Sequence, residues 1–205
     1  MKERFVVAIG SSAGGLNPMK TFFDHTPHDQ VTYVLIRHIP IAHQSVLHEV
    51  LQRHSKLEIL QAEDGELIKK DHVYLPPSNM YMTIKNNRLY LRPRIVEDST
   101  GNWSINIFLE SLAKDKGRQA IAVILSGGGS DGAKGAFSIK EAGGCVIVQK
   151  PESCEHSSMP LNTIRTGIVD HILMPSEMPD AILKHTNAIL KTGNMKNNFM
   201  ETGNK

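Results

Sequence analysis

Two adjacent serines lie between glycines near the start of the chain, in the stretch AIGSSAGGL at residues 8–16. Residues 10–14 match the pattern GxSxG, with Ser12 in the serine position and Ser11 in a neighbouring variable position. This pattern is typical of a tight turn between a strand and a helix, which exposes the serine hydroxyl. The helix behind such a turn offers free backbone N–H groups to a developing oxyanion. Ser12 is therefore the candidate nucleophile, and Ser11 is expected to point elsewhere.

A nucleophilic serine needs a histidine as base and an acidic residue that orients this histidine. Among the ten histidines, His38 is the one that directly follows a strong buried-strand pattern, VTYVLIR at residues 31–37. Asp131 is the acidic residue of a glycine-rich loop, SGGGSDG at residues 126–132, that follows the apolar run AIAVIL. Taken singly, His38 could be structural and Asp131 could be a helix N-cap. Together, the three residue types at three predicted strand ends favour a Ser-His-Asp triad.

Strand-like apolar runs alternate with helical patterns along the chain. This order predicts an α/β fold with a doubly wound, mostly parallel sheet, helices on both faces, and an antiparallel β-hairpin at one edge. The hairpin spans residues 80–91 and turns at Asn86-Asn87, since asparagine tolerates a positive φ. Because the carboxyl ends of parallel strands share one edge, Ser12, His38 and Asp131 should meet there. The predicted strands are 5–9, 31–37, 57–60, 72–75, 120–125, 145–148 and 169–174, and the predicted helices are 16–24, 44–54, 105–116, 133–142, 160–166 and 177–190.

A second glycine-rich motif leaves another function open. Gly127–Gly132 matches GxGxxG after a strand and before a helix, and Glu152 lies about where a ribose-binding acid would fall. Asp131 would place a negative charge beside the pyrophosphate, and little chain follows for the rest of a dinucleotide-binding fold. A nucleotide-binding domain is therefore the weaker alternative. The other alternative is a regulatory domain without catalysis that binds a partner.

Composition restricts the remaining classes. The chain has 205 residues, and its net charge of +2 is too small to indicate binding to nucleic acid. It has no apolar run of the ~18–20 residues that span a bilayer, which excludes membrane insertion, and no signal peptide pattern at its start. Two cysteines form neither a zinc site nor a disulfide framework. We expect a cytoplasmic domain over residues 1–192, followed by a polar tail or linker at 193–205.

The chain resembles the catalytic domain of chemotaxis protein-glutamate methylesterases from about Phe5 to His185. The matching blocks in order are AIGSSAGG, IRHIP, AEDGE, HVYLPPSN, ILSGGGSDGAKG, IKEAGG and SSMP. The resemblance implies that Ser12, His38 and Asp131 form a triad that hydrolyses γ-glutamyl methyl esters, and that it can deamidate glutamines. It implies no metal and no cofactor. It also implies an active-site loop with oxyanion donors, made of Ala13, Gly14, Gly15, Gly128 and Gly129.

The chain departs from the family pattern near the expected site. Family members often carry a bulky residue, typically Met, where this chain has Gly128, and an aspartate where it has Asn106. They also often have Asn at Ser130 and Thr at Ala13. The implied partner is a methylated receptor protein that presents the ester on a helix. A receiver domain is not expected in front of residue 5, and a fused methyltransferase or kinase domain would suit the polar residues beyond 192.

Overall fold

Seven parallel strands form the central sheet. The computed structural model describes residues 4–37, 44–94 and 103–202. The sheet has the order β3-β4-β2-β1-β7-β8-β9, and β5 and β6 form a separate two-stranded antiparallel sheet. The strands are β1 (Val6–Ser11), β2 (Thr32–Arg37), β3 (Glu58–Gln61), β4 (His72–Leu75), β5 (Met80–Lys85), β6 (Arg88–Pro93), β7 (Ala120–Ile124), β8 (Cys145–Gln149) and β9 (His171–Leu173).

Helices cover both faces of this sheet because its inner strands are apolar on both faces. Along β1, Val6 and Ala8 pack into one apolar layer, and Val7 and Ile9 pack into the other. The first layer contains side chains of α3, α4 and α5, and the second contains side chains of α1, α2 and α6. The helices are α1 (Leu16–Asp24), α2 (Gln44–Gln52), α3 (Ser104–Lys116), α4 (Ala133–Glu141), α5 (Ser158–Ile164) and α6 (Met178–Thr202). The doubly wound fold that the sequence predicted is confirmed.

The hairpin turns where the sequence predicted it. Asn86 and Asn87 have φ values of 52° and 61°, so both adopt the left-handed conformation that a two-residue hairpin turn needs. The hairpin packs on α3, where the Ile84 N–H donates to Ser111 Oγ at 3.0 Å and the Asn87 N–H donates to Asp115 Oδ2 at 3.3 Å. The hairpin is thereby attached to the helix that leads back into the sheet at β7.

The order of the strands creates a crevice at the ends of β1 and β7. These strands are neighbours, but β2 lies on the far side of β1 and β8 lies on the far side of β7. The loops that follow β1 and β7 therefore leave in opposite directions. In open α/β sheets, ligands bind in the crevice outside the carboxyl ends of the strands at such a switch point.

The predicted end of the last helix is wrong. The sequence placed it at residue 190, but α6 continues to Thr202. The polar residues after 190 include no proline, so nothing in the backbone stops the helix there. Among the described helices, α6 included, none has the length and apolar character needed to cross a membrane.

Helices α3 and α4 approach each other closely at Gly135. A Cβ on Gly135 would lie 2.6 Å from Leu109 Cβ and 3.1 Å from Asn106 Cα. We therefore expect Gly135→Ala to lower the free energy of unfolding by roughly 1–3 kcal/mol, measured by chemical denaturation, because overpacking forces neighbours apart. Lys134→Ala is the control on the same helix, since Lys134 is exposed and its pairing with Glu110 is a weak surface contact. Equal losses in the two variants would show that this contact is not tight.

Candidate active site

Ser12 lies in a tight turn between β1 and α1. Its N–H donates to the carbonyl of Ser126 at 3.0 Å, and its own carbonyl accepts from the N–H of Gly15 at 3.1 Å. Gly14 has a φ of 70°, which a residue with a side chain adopts only at a cost. Ser12 is half-buried, so the turn places it at the rim of the crevice and not in the core.

Ser11 points away from this rim. It is completely buried, and its Oγ lies 3.9 Å from the sulfur of Met19 on α1. A Cβ on Gly15 would lie 2.7 Å from Ser11 Cβ, so the serine fills the space that a side chain at residue 15 would need. The prediction that Ser11 points elsewhere is confirmed, which leaves Ser12 as the more accessible serine of the pair.

The loop after β7 packs directly against Ser12. A Cβ on Gly127 would lie 3.0 Å from Ser12 Cβ and 2.1 Å from the sulfur of Met159 on α5, so a side chain at residue 127 would force Met159 to shift. Ser126 Oγ lies 3.0 Å from the carbonyl of Ala13, within hydrogen-bonding distance. These contacts join the loops that follow β1 and β7 into one unit, as the shared sheet edge predicted.

Asp131 is almost completely buried, with 4% of its surface exposed, and its carboxylate lies at the start of α3. Its Oδ2 accepts from the N–H of Ile105, and its Oδ1 accepts from the N–H groups of Asn106 and Gly132, all at 2.9 Å. The first turn of a helix has unpaired N–H groups and a positive partial charge, so it stabilises a carboxylate. Asp131 is thus held chiefly by a helix that begins 27 residues before it in the chain.

The side chain of Asn106 binds the segment that follows Asp131, and Asn106 was not predicted as a site residue. Its side-chain Oδ1 accepts from the N–H of Gly132 at 2.9 Å and from the N–H of Gly135 at 2.8 Å. Asn106 therefore caps the start of α4, while its own N–H binds Asp131. The sequence offered one signal only, the departure from the aspartate that the family often has at this position.

The predicted base, His38, lies outside the described residues. β2 ends at Arg37, which is paired in register with Ser11 at the end of β1, so the chain leaves β2 beside the turn that carries Ser12.

Gly15 is a predicted oxyanion donor, but its N–H already donates to the carbonyl of Ser12 in this structure. Among the described residues, the backbone N–H groups of Ala13, Gly14 and Gly128 have no hydrogen-bond acceptor.

Arg37 brings a positive charge to the turn. Its Nη2 lies 3.4 Å from the carbonyl of Ser12, and burial lowers the pKa of its guanidinium from the ordinary value. Arginine remains protonated in proteins all the same. Arg37 also lines a cavity of about 500 Å³ at the ends of β2, β3 and β4, which Ser12 and Asp131 do not line.

Comparison with known proteins gives a consistent result. The fold matches the catalytic domain of Thermotoga maritima CheB methylesterase with a TM-score of 0.81 and 29% identity, over 89% of this chain and 98% of that one. A Xanthomonas oryzae protein-glutamate methylesterase/protein-glutamine glutaminase is 30% identical over 87% of this chain and 51% of its own length. A Methanococcus maripaludis protein of the same name is 27% identical over 89% of this chain and 51% of its own length.

The chain thus spans about half the length of the curated relatives that it matches. The family model described as CheB methylesterase matches residues 7–182, which include the turn with Ser12, the loop with Asp131 and all of the main sheet except the first residue of β1. The chain belongs to the CheB methylesterase family.

Proposed function

We propose that this chain is a serine hydrolase that cleaves γ-glutamyl methyl esters on chemoreceptor-type proteins and can also deamidate glutamines, in chemotaxis adaptation or related sensory signalling. The observation that carries the proposal is the contact between the turn of Ser12 and the loop that bears Asp131, at the switch point of the sheet. The names of the relatives, protein-glutamate methylesterase/protein-glutamine glutaminase, support the substrate class. No metal or cofactor takes part in the proposed reaction.

The proposed reaction is acyl transfer in two steps. Ser12 Oγ attacks the ester carbonyl while His38 takes the serine proton, and His38 then gives this proton to the departing methanol. Asp131 orients the ring of His38 and stabilises its charged form. Water, activated by the same histidine, attacks the acyl-enzyme and releases glutamate and free Ser12. For a glutamine, ammonia leaves in place of methanol.

Backbone N–H groups are the proposed donors to the oxyanion. Ala13, which follows the nucleophile, and Gly128, in the loop packed against it, have N–H groups without an acceptor among the described residues. The N–H of Gly14 also has no acceptor within the described ranges, and Gly129 is the next residue of the loop after Gly128. Gly15 is a weaker candidate, because its N–H would first have to leave the Ser12 carbonyl. Fixed N–H groups of this kind stabilise the charge that develops in the transition state.

The substrate in this proposal is a methylated receptor helix, and the reaction takes place in the cytoplasm. In this proposal, the crevice at the ends of β1 and β7 receives the ester side chain that projects from the receptor helix. We further propose that additional domains, such as a methyltransferase or a kinase module, can be fused to this one.

The nucleotide-binding alternative is disfavoured by the start of α4. A phosphate bound by the loop at residues 127–132 would need free N–H groups at the beginning of this helix. The N–H groups of Gly132 and Gly135 are already bound by Asn106 Oδ1, and Asp131 Oδ1 also accepts from Gly132. A phosphate would have to displace these acceptors and lie beside a carboxylate.

The adjacent serines provide a matched pair of variants. Ser12→Ala is expected to reduce methanol release from a methylated receptor by about 10⁴-fold or more, since it removes the nucleophile. Ser11→Ala removes a hydroxyl that packs against Met19 and keeps the Cβ that fills the space beside Gly15, so it is expected to retain most activity. Equal losses of methanol release in the two variants, or a larger loss for Ser11→Ala, would show that Ser12 is not the nucleophile. Absence of release by the unmodified chain would favour the regulatory alternative.

Asp131→Asn tests the acid. An amide offers a single acceptor oxygen and turns an NH₂ group toward backbone donors, so we expect the free energy of unfolding to fall by about 1–3 kcal/mol and methanol release to fall strongly. Asp170→Asn is the matched control. Asp170 Oδ2 also accepts a backbone N–H, that of Val146 at 2.9 Å, but near the opposite end of the sheet. A similar loss of stability without loss of turnover is expected there. Loss of turnover in both variants would attribute the effect at Asp131 to folding alone.

A further inference from the structure

The loop between β8 and α5 forms one rim of the crevice, and the backbone of His156 fixes it in place. The N–H of Gly127 donates to the carbonyl of His156 at 2.9 Å, and the N–H of His156 donates to Ser126 Oγ at 3.0 Å. Ser126 Oγ also lies 3.2 Å from that carbonyl. These contacts hold residue 156 against the same loop that packs against Ser12, so the backbone of residue 155 is kept close to the candidate site.

That residue is Glu155, and its side chain lies against the turn of Ser12. A Cβ on Gly14 would lie 2.6 Å from Glu155 Cβ and 3.1 Å from Glu155 Oε2. The carboxylate is therefore close to a residue two positions from the proposed nucleophile, and 66% of the side chain is exposed. The result is a solvent-facing carboxylate beside the turn of Ser12, and the proposed mechanism does not use it.

The His156 ring and the Arg37 guanidinium also lie near this region. The His156 ring lies with its Nε2 3.6 Å from Glu155 Oε1, and half of that side chain is exposed. Arg37 lies on the other side of Ser12, because β2 and β8 are on opposite sides of β1 in the sheet. A substrate segment laid across the strand ends would thus meet a positive charge on one side of the ester and Glu155 on the other.

We propose that Glu155 is a specificity-determining residue, which favours methyl-ester substrates that carry a cationic side chain on one side of the ester and rejects those with an anionic side chain there. The inference rests on the proposed function and names a feature of its substrate. In a dielectric between that of water and that of a protein surface, one charge pair at about 7 Å changes affinity by about threefold to sevenfold. Exchange of Lys for Glu reverses the sign of the interaction, so the two substrates should differ by about tenfold or more.

Synthetic helical peptides with a central γ-glutamyl methyl ester test this proposal. Four peptides carry Lys or Glu either four residues before or four residues after the ester, on the same helix face. The readout is the Lys:Glu ratio of kcat/KM for methanol release at each position, at low and at high salt. The unmodified chain is compared with Glu155→Gln, Glu155→Lys and the matched control Glu152→Gln, which alters an exposed carboxylate three residues earlier on the same loop.

At one of the two positions, the unmodified chain is expected to prefer Lys by about tenfold at low salt, and this ratio should shrink at high salt. Glu155→Gln should bring the ratio near one, and Glu155→Lys should reverse it. Glu152→Gln should leave it unchanged. A ratio that Glu155→Gln changes at neither position, or that Glu152→Gln changes equally, overturns the proposal.

A binding measurement separates this proposal from the proposed function. Calorimetric titration of Ser12→Ala with the same peptides gives the Lys:Glu ratio of dissociation constants without turnover. Charge-dependent binding that Glu155→Gln removes, with no methanol release by the unmodified chain, would support Glu155 as the selecting residue and overturn the esterase. Methanol release with the same rate for all four peptides would support the esterase and overturn the role of Glu155.

Discussion

The carboxylate of Asp131 holds together the parts of the molecule from which the candidate site is built. A buried carboxylate is stable only where hydrogen bonds replace its water. Here the N–H groups of Ile105, Asn106 and Gly132 provide three such bonds, and two of these come from the first turn of α3. The helix dipole adds to them, since its positive end faces the carboxylate. The loop after β7 is thereby fixed to α3, the helix that precedes β7 in the chain.

This attachment also determines how closely α3 approaches the strand ends. A Cβ on Gly10 would lie 2.6 Å from Ile105 Cγ2, and a Cβ on Gly132 would lie 3.0 Å from the same atom. Ile105 therefore fills the space between the end of β1 and the start of α4. If α3 moved, Ile105 would press on Gly10, two residues before Ser12. The position of the candidate nucleophile thus depends on the same helix that binds Asp131.

Local signals made much of this arrangement predictable from the sequence. The bounds of α1 are those predicted, and the positive φ of Asn86 and Asn87 follows from their side chains. The positions of Ser12 and Asp131 at strand ends were predicted from apolar runs that are followed by glycine-rich loops. The hydrogen bonds of Asp131 to α3 could not be read in this way, because they join residues 25 and 26 positions apart. The polar loop with Glu155 carries no pattern at all, and its contact with Gly14 arises only when β8 and β1 enter the same sheet.

The contacts around Ser12 divide the site into a tight side and an open side. Behind the serine, side chains at Gly15 and Gly127 would collide with Ser11 and Met159, so the turn tolerates no enlargement there. In front of it, a Cβ on Gly128 would meet nothing within 4 Å, and its φ lies outside the left-handed region. A bulky residue at this position, such as the family often carries, would project into the crevice without disturbing the turn. Glycine at residue 128 therefore widens the entrance to the crevice, while the contacts behind Ser12 fix the geometry of the site. In our proposal, Glu155 supplies the charge that a substrate meets at this entrance.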